Sequence, residues 1–183
     1  KNSKLYIVNK KFTNYRIGLK GEFQKLNAAM AIKAIEILKS YYGIKINENN
    51  IKKGLLNAKW PGRLQFIGKN ILVDCAHNPH GFNILAGELE TFNYEKLIAI
   101  LGFSNDKDIK TISKIISPLA DKIVLTKSSN ERAAEPDTIK KYFNNNIIII
   151  KNPKKALNYA KKIAKKNDLI LVAGSIFLVG ELI

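Results

Sequence analysis

The densest chemistry in this 183-residue chain lies in Asp74-Cys75-Ala76-His77-Asn78-Pro79-His80-Gly81. A carboxylate, an imidazole and an amide follow directly on the apolar run Ile71-Leu72-Val73. A strand ending there delivers all three into one turn, and Pro79 holds Asn78 toward extended geometry. Such a turn can orient a sugar hydroxyl through Asp74 and a phosphate or carboxyl through His77. It can equally be a polar connection in which Asp74 or Asn78 bonds backbone. Arg63, behind Pro61-Gly62, puts a guanidinium on a rigid turn, suited to a phosphate or a purine face or to a surface ion pair. In Asp106-Lys107-Asp108 the lysine could hold a substrate carboxylate, or the acids could serve a helix start. Gly174-Ser175 offers N–H groups and a hydroxyl to an anion, or is a plain turn. Asn130-Glu131-Arg132-Ala133 has the same two readings.

The elements that must position these groups follow from periodicity. Residues 5–19 read as extended, with Leu5, Tyr6, Ile7 and Val8 and then Ile17 and Leu19. A helix is expected over 24–42, with Leu26, Met30, Ala34, Ile37 and Tyr41 as its apolar stripe and Ile35 and Leu38 widening it. Gly43 stops it. Asn47 caps a second helix reaching Ala58, with Ile51, Leu55 and Leu56 on one face. Trp60-Pro61-Gly62-Arg63 breaks regular structure and marks a domain boundary, giving domains 1–59 and 60–183.

Past the break, strands alternate with helices. Strands are expected at 64–67, 70–75, 97–102, 121–126, 147–150 and 168–173, and helices at 80–92, 107–118, 136–144 and 153–166. Near-continuous apolar strands imply helices on both faces of the sheet. The fold class is α/β, a doubly wound, mostly parallel six-stranded sheet flanked by helices. Ligands of such sheets lie beyond the carboxyl ends of the strands, which selects the loops 74–81, 102–108, 126–133 and 173–176.

Bulk properties narrow the classes. Composition is ordinary for a globular protein, 46% hydrophobic and 25% charged. No apolar run approaches the roughly 18 residues of a membrane span. One cysteine excludes an intrachain disulfide and points to a reducing, cytoplasmic compartment. His77 and His80 beside Cys75 lack a fourth ligand and the spacing of a closed zinc site, so no metal site is expected. The formal charge of +16 suggests nucleic acid, but only Arg16, Arg63 and Arg132 of the 31 basic residues are arginines. Aromatics do not interleave with the lysines as a stacking platform requires. The lysines, such as Lys161, Lys162, Lys165 and Lys166, read as solvated helix faces. Nucleic acid and membrane are not expected partners, and a monomer is. The chain opens on Lys1 without a leader pattern, and is read as a piece whose natural start lies upstream.

In order along the chain stand Trp60-Pro61-Gly62-Arg63-Leu64, Asp74-x-Ala76-His77-Asn78-Pro79, Asp106-Lys107-Asp108, Arg132-Ala133 and Gly174-Ser175-x-Phe177-Leu178-Val179-Gly180-Glu181. Together they resemble the C-terminal domain of folylpolyglutamate synthase/dihydrofolate synthase, within the Mur ligase superfamily. Gly21-Glu22-Phe23-Gln24-Lys25-Leu26-Asn27-Ala28-Ala29 is similar to the end of that family's central ATPase domain. The resemblance runs from about residue 17 to the end.

The resemblance implies an ATP-dependent ligase of folate biosynthesis and one-carbon metabolism. ATP phosphorylates a folate-type carboxylate (pteroate or folylpolyglutamate), and the amine of L-glutamate attacks the acyl phosphate. It implies that Asn27, Arg63 and Asp74 contact ATP. It implies that His77 and Lys107 lie at the reacting groups, and that Lys107 and Ser175 place the incoming amino acid. Phe23 departs from the family, which often has His there. No Gly-x-x-x-x-Gly-Lys-[Ser/Thr] loop occurs. The resemblance places phosphate loop, magnesium ligands and carbamate-bearing lysine upstream, and implies that this chain alone should lack ligase activity. The alternatives are a sister Mur-type ligase with another acceptor or amino acid, and a basic nucleic-acid-binding α/β module.

Overall fold

The computed structural model describes residues 5–7, 10–12, 15–144 and 146–183. The chain divides between Trp60 and Pro61 into two compact units.

In the first unit, β1 (Leu5–Ile7) and β2 (Lys10–Phe12) pair antiparallel, with Leu5 opposite Phe12. The expected extended run also covers 8–9 and 13–14, which lie outside the described residues. Residues 15–19 form no strand; Gly18 N instead donates to Leu55 O at 2.9 Å. Helix α1 (Gln24–Tyr42) ends at Gly43, whose φ of 63° is left-handed. Helix α2 (Glu48–Asn57) starts in a reciprocal cap. Asn47 Oδ1 accepts from Asn50 N at 2.9 Å, and Asn50 Oδ1 accepts from Asn47 N at 3.3 Å.

The buried face of α1 is not the expected one. The buried residues are Gln24, Ala28, Ala29 and Ile32, whereas Leu26, Met30 and Tyr41 of the expected stripe are 63%, 58% and 81% exposed. The helix is apolar on two sides, and a 3.6-residue period does not say which side is covered.

The second unit holds six strands in the order β3-β4-β8-β5-β6-β7. These are β3 (Gln65–Ile67), β4 (Ile71–Val73), β5 (Leu97–Leu101), β6 (Lys122–Leu125), β7 (Ile147–Ile149) and β8 (Leu169–Ala173). Only the β3–β4 pair is antiparallel; the others are parallel. The last strand therefore threads between β4 and β5. Every residue of β4, β5 and β8 is buried, as a sheet covered on both faces requires.

Alternate residues divide this core. Ile71, Val73, Ile98, Ile100, Val124, Ile170 and Val172 cluster with Ala156, Leu157 and Ala160 of α6 (Pro153–Ile163) and with Leu178 and Val179. The intervening residues face the other layer, where α3 (Pro79–Leu89) packs on α4 (Ile109–Ile116).

Two elements differ from expectation. The helix placed at 136–144 is α5 (Pro136–Ile139) followed by a 3-10 turn, Lys140–Tyr142. Phe143 leaves helical geometry at φ −108°, ψ 135°, is buried, and stacks on Phe103 at 6.3 Å. Burying that ring ends the helix early. Beyond β8, α7 (Ile176–Gly180) forms where only a loop was expected. Among the described residues no helix is long and apolar enough to cross a membrane.

Candidate functional site

The register Gln65↔Val73 lays the start of β3 beside the carboxyl end of β4. Arg63 thereby comes next to Asp74. The turn between Pro61 and Gln65 is pinned on both sides. Gly62 N donates to Gln65 Oε1 at 2.8 Å, and Cys75 N donates to Gly62 O at 2.8 Å. Asp74 uses both carboxylate oxygens on backbone: Oδ2 accepts from Leu64 N at 2.9 Å and Oδ1 from Ala76 N at 2.8 Å. Arg63 is exposed. Burial pushes the Asp74 carboxyl above the usual carboxylate range, against the pull of those two N–H donors and the Arg63 guanidinium. Burial, and secondarily the Asp74 charge, also push up the Cys75 thiol.

His77 is exposed, and its Nδ1 lies 3.0 Å from Cys75 O. A carbonyl only accepts, so Nδ1 carries the proton and Nε2 of the neutral ring is the free acceptor. Asn78 caps α3, its Oδ1 accepting from Gly81 N at 2.8 Å. A proline at the next position suits a helix start.

The four loops at the strand ends form one network. Gly174 N donates to Ala76 O at 2.9 Å, Gly102 N to Ala173 O at 3.3 Å, Ala134 N to Phe103 O at 2.8 Å, and Asn105 N to Arg132 O at 2.9 Å. Gly174 has φ +110°, and a Cβ there would stand 2.6 Å from Gly102 O, so only glycine lets these loops meet. The Arg132 guanidinium lies over the Phe177 ring at 5.5 Å. Glu181 Oε1 accepts from Ser129 N at 2.6 Å and Ser129 Oγ at 2.8 Å, tying the loop after β6 to the chain's end.

Arg63, Asp74, His77, Lys107 and Ser175 thus share the carboxyl-end side of one sheet. Ser175, however, is 4% exposed, and its Oγ accepts from Phe177 N at 3.1 Å as the cap of α7. Lys107 Nζ reaches Asp106 Oδ2 at 2.6 Å, a contact that lowers the Asp106 carboxyl. Asp108 caps α4 through Thr111 N at 3.0 Å. Asn27 belongs to the first unit, where its Nδ2 donates to Gln24 Oε1 at 2.9 Å. Among the described residues no group of three or more His, Cys, Asp or Glu could hold a metal ion.

Gln65 gains weight only in three dimensions, and Leu64 and Glu181, in the sequence only motif members, acquire their partners there. Gln65 acts on a residue three positions earlier through a loop no periodicity describes. Ser129 and Glu181 lie far apart in sequence.

The mostly parallel sheet carries Arg, Asp and His on interlocked turns beyond its carboxyl ends, the place where ligands of α/β domains bind. Residues 62–176 match the model of the Mur ligase family described as the glutamate ligase domain, and the chain belongs to that family. It is 36% identical over 148 residues to the dihydrofolate synthase/folylpolyglutamate synthase of Buchnera aphidicola subsp. Acyrthosiphon pisum, covering 77% of this chain and 35% of that protein. It is 32% identical over 173 residues to the UDP-N-acetylmuramoyl-L-alanyl-D-glutamate–2,6-diaminopimelate ligase of Clostridium tetani, covering 86% and 34%. The solved structure of E. coli FolC in complex with DHPP and ADP superposes with a TM-score of 0.82 at 26% identity, covering 94% of this chain and 40% of that one. The chain thus spans about a third of the length of these two curated relatives.

Proposed function

We propose that this chain is the C-terminal part of an ATP-dependent acid–amino-acid ligase that joins L-glutamate to a folate-type carboxylate. The observation that carries the reading is the likeness to a dihydrofolate synthase/folylpolyglutamate synthase across most of the chain, joined to the pinned Arg63–Asp74–His77 cluster. In this reading a substrate carboxylate oxygen attacks the terminal phosphorus of ATP and ADP leaves. The glutamate nitrogen then attacks the acyl carbon, and phosphate departs. Such catalysis is largely positioning and charge stabilisation.

The roles follow the chemistry of each group. Arg63 contacts the nucleotide as a rigidly mounted cation. Asp74 offers a ribose hydroxyl the lone pairs that remain after each of its oxygens has accepted one backbone N–H. His77 Nε2 faces the reacting groups, and Lys107 holds a carboxylate of the amino acid. Ser175 is better suited to offering its neighbouring N–H groups, because its hydroxyl is buried in a cap. Residues 1–59, with Asn27, belong to the end of the ATPase domain. The phosphate loop and the ligands of a divalent ion, magnesium by expectation, lie outside this chain. The protein is cytoplasmic and monomeric in this reading.

A second reading is favoured by the 32% identity to the diaminopimelate-adding ligase: the same chemistry with another amino acid or acceptor. The basic nucleic-acid module has no comparable support.

The test joins the chain to its upstream segment and supplies Mg-ATP, glutamate and either dihydropteroate or a reduced folate monoglutamate. We expect ADP release that needs both organic substrates, one added glutamyl unit by mass, and loss of about a hundredfold or more in Asp74→Ala. ADP release that ignores every pterin acceptor keeps the family and removes the folate assignment. The 183-residue chain alone should release no ADP.

A further inference from the structure

Arg63 is flanked by two residues in left-handed backbone. Gly62 has φ +73° and Leu64 has φ +40°. For leucine this is a strained conformation that persists only where the surroundings enforce it. The Leu64 side chain is 1% exposed, so its burial and its strain are held together. A Cβ on Gly62 would stand 2.7 Å from Cys75 Sγ and 3.0 Å from Val179 Cγ1, so the turn lies hard against β4's end and α7. Three hydrogen bonds fasten it: Gly62 N to Gln65 Oε1, Cys75 N to Gly62 O, and Leu64 N to Asp74 Oδ2.

We propose that Gln65, together with Asp74, is a positioning residue for Arg63. The two side chains close a latch on either side of it, and the latch, rather than any contact to Arg63 itself, fixes where the guanidinium stands. The inference rests on the reading in which Arg63 contacts the nucleotide. Without the Gln65 amide oxygen, Gly62 N–H loses its acceptor and the turn can relax toward ordinary backbone angles. Arg63 then spreads over several positions, and nucleotide binding weakens while the chemistry of bound substrate is little changed.

The experiment uses the polypeptide extended by its upstream segment for kinetics and the 183-residue chain for amide exchange. Gln65→Ala should raise KM for ATP about fivefold to tenfold, the scale of one hydrogen bond, with kcat within about twofold. Gln65→Glu retains an acceptor and should restore both KM and slow exchange of the Gly62 amide. In an Arg63→Ala background, Gln65→Ala should add nothing. Unchanged exchange in β4 confirms that the variants are folded. The proposal is overturned if Arg63→Ala raises KM and Gln65→Ala does not, or if the two effects simply add. A silent Arg63→Ala has a different meaning: it removes the nucleotide reading, and the latch's role with it.

Discussion

Asp74 answers a question its sequence context left open. As a carboxylate after a buried strand it could serve a ligand or the backbone, and both its oxygens bond main-chain N–H groups. Asn78, Asp108 and Ser175 resolved the same way, as caps of α3, α4 and α7. Residue type and loop position located these groups. The caps are local, two or three residues on, and were one of the two readings the sequence offered; the Leu64 N–H to Asp74 bond depends on the β3–β4 pairing and was not legible. The Asp74 arrangement has a consequence in pH. Its folded carboxyl titrates above the usual value because of burial, so the fold takes up this proton more readily than the unfolded chain does. The associated stability is fully present below the unfolded value and is lost as pH rises through the folded one. Asp106, Asp108 and Glu135 are lowered and act in the opposite sense, but they are common to the wild type and Asp74→Asn. Urea unfolding of the two chains across the acid range should therefore show wild-type stability falling relative to Asp74→Asn as pH rises through that window. A flat or rising difference would show that Asp74 is not destabilised in its ionised form.

At the scale of elements, the sheet was the most legible part. β5 and β8 begin and end within a residue of their expected bounds because long buried β-rich runs have few alternatives. The failures have specific causes. Phe143 leaves its helix to be buried, α7 is too short to show a period, and α1 has apolar residues on two faces. That last element carries a prediction. Helix α2 buries no residue, and α1 buries four of nineteen, with Leu26, Met30 and Tyr41 left in water. A ten-residue helix such as α2 is marginal by itself, and most helical stability in proteins comes from tertiary packing. Amide exchange in the 183-residue chain should be fast across α1 and α2 and slow in β4 and β8. Protection as strong in α1 as in β8 would mean that this exposed face is covered in solution.

The whole molecule combines two units of unequal burial, and nearly all the long-buried side chains belong to the second. Leu72, Leu97, Leu101, Ile112, Ile116 and Ile123 are essentially inaccessible there, while among the described residues the first unit's buried apolar set is Ala28, Ala29 and Ile32. The turn at Pro61–Gln65 that mounts Arg63 is bonded to Gln65, Asp74 and Cys75 of the second unit. Hydrophobic burial scales with the area removed from water, so the core of residues 61–183 is the larger source of stability within its own unit. A chain starting at Pro61 should accordingly keep the slow exchange of β4, β5 and β8 and melt within about 5 °C of the parent's main transition, the shift that about 1 kcal/mol produces in a domain of this size. The Leu64 and Ala76 amides should remain protected, because their acceptor, Asp74, travels with them. Loss of cooperative melting in the shortened chain would show that residues 1–60 supply part of the sheet's stability. The site loops would then depend on both units for their shape, and Arg63 and Asp74 would have to be studied only in the longer polypeptide.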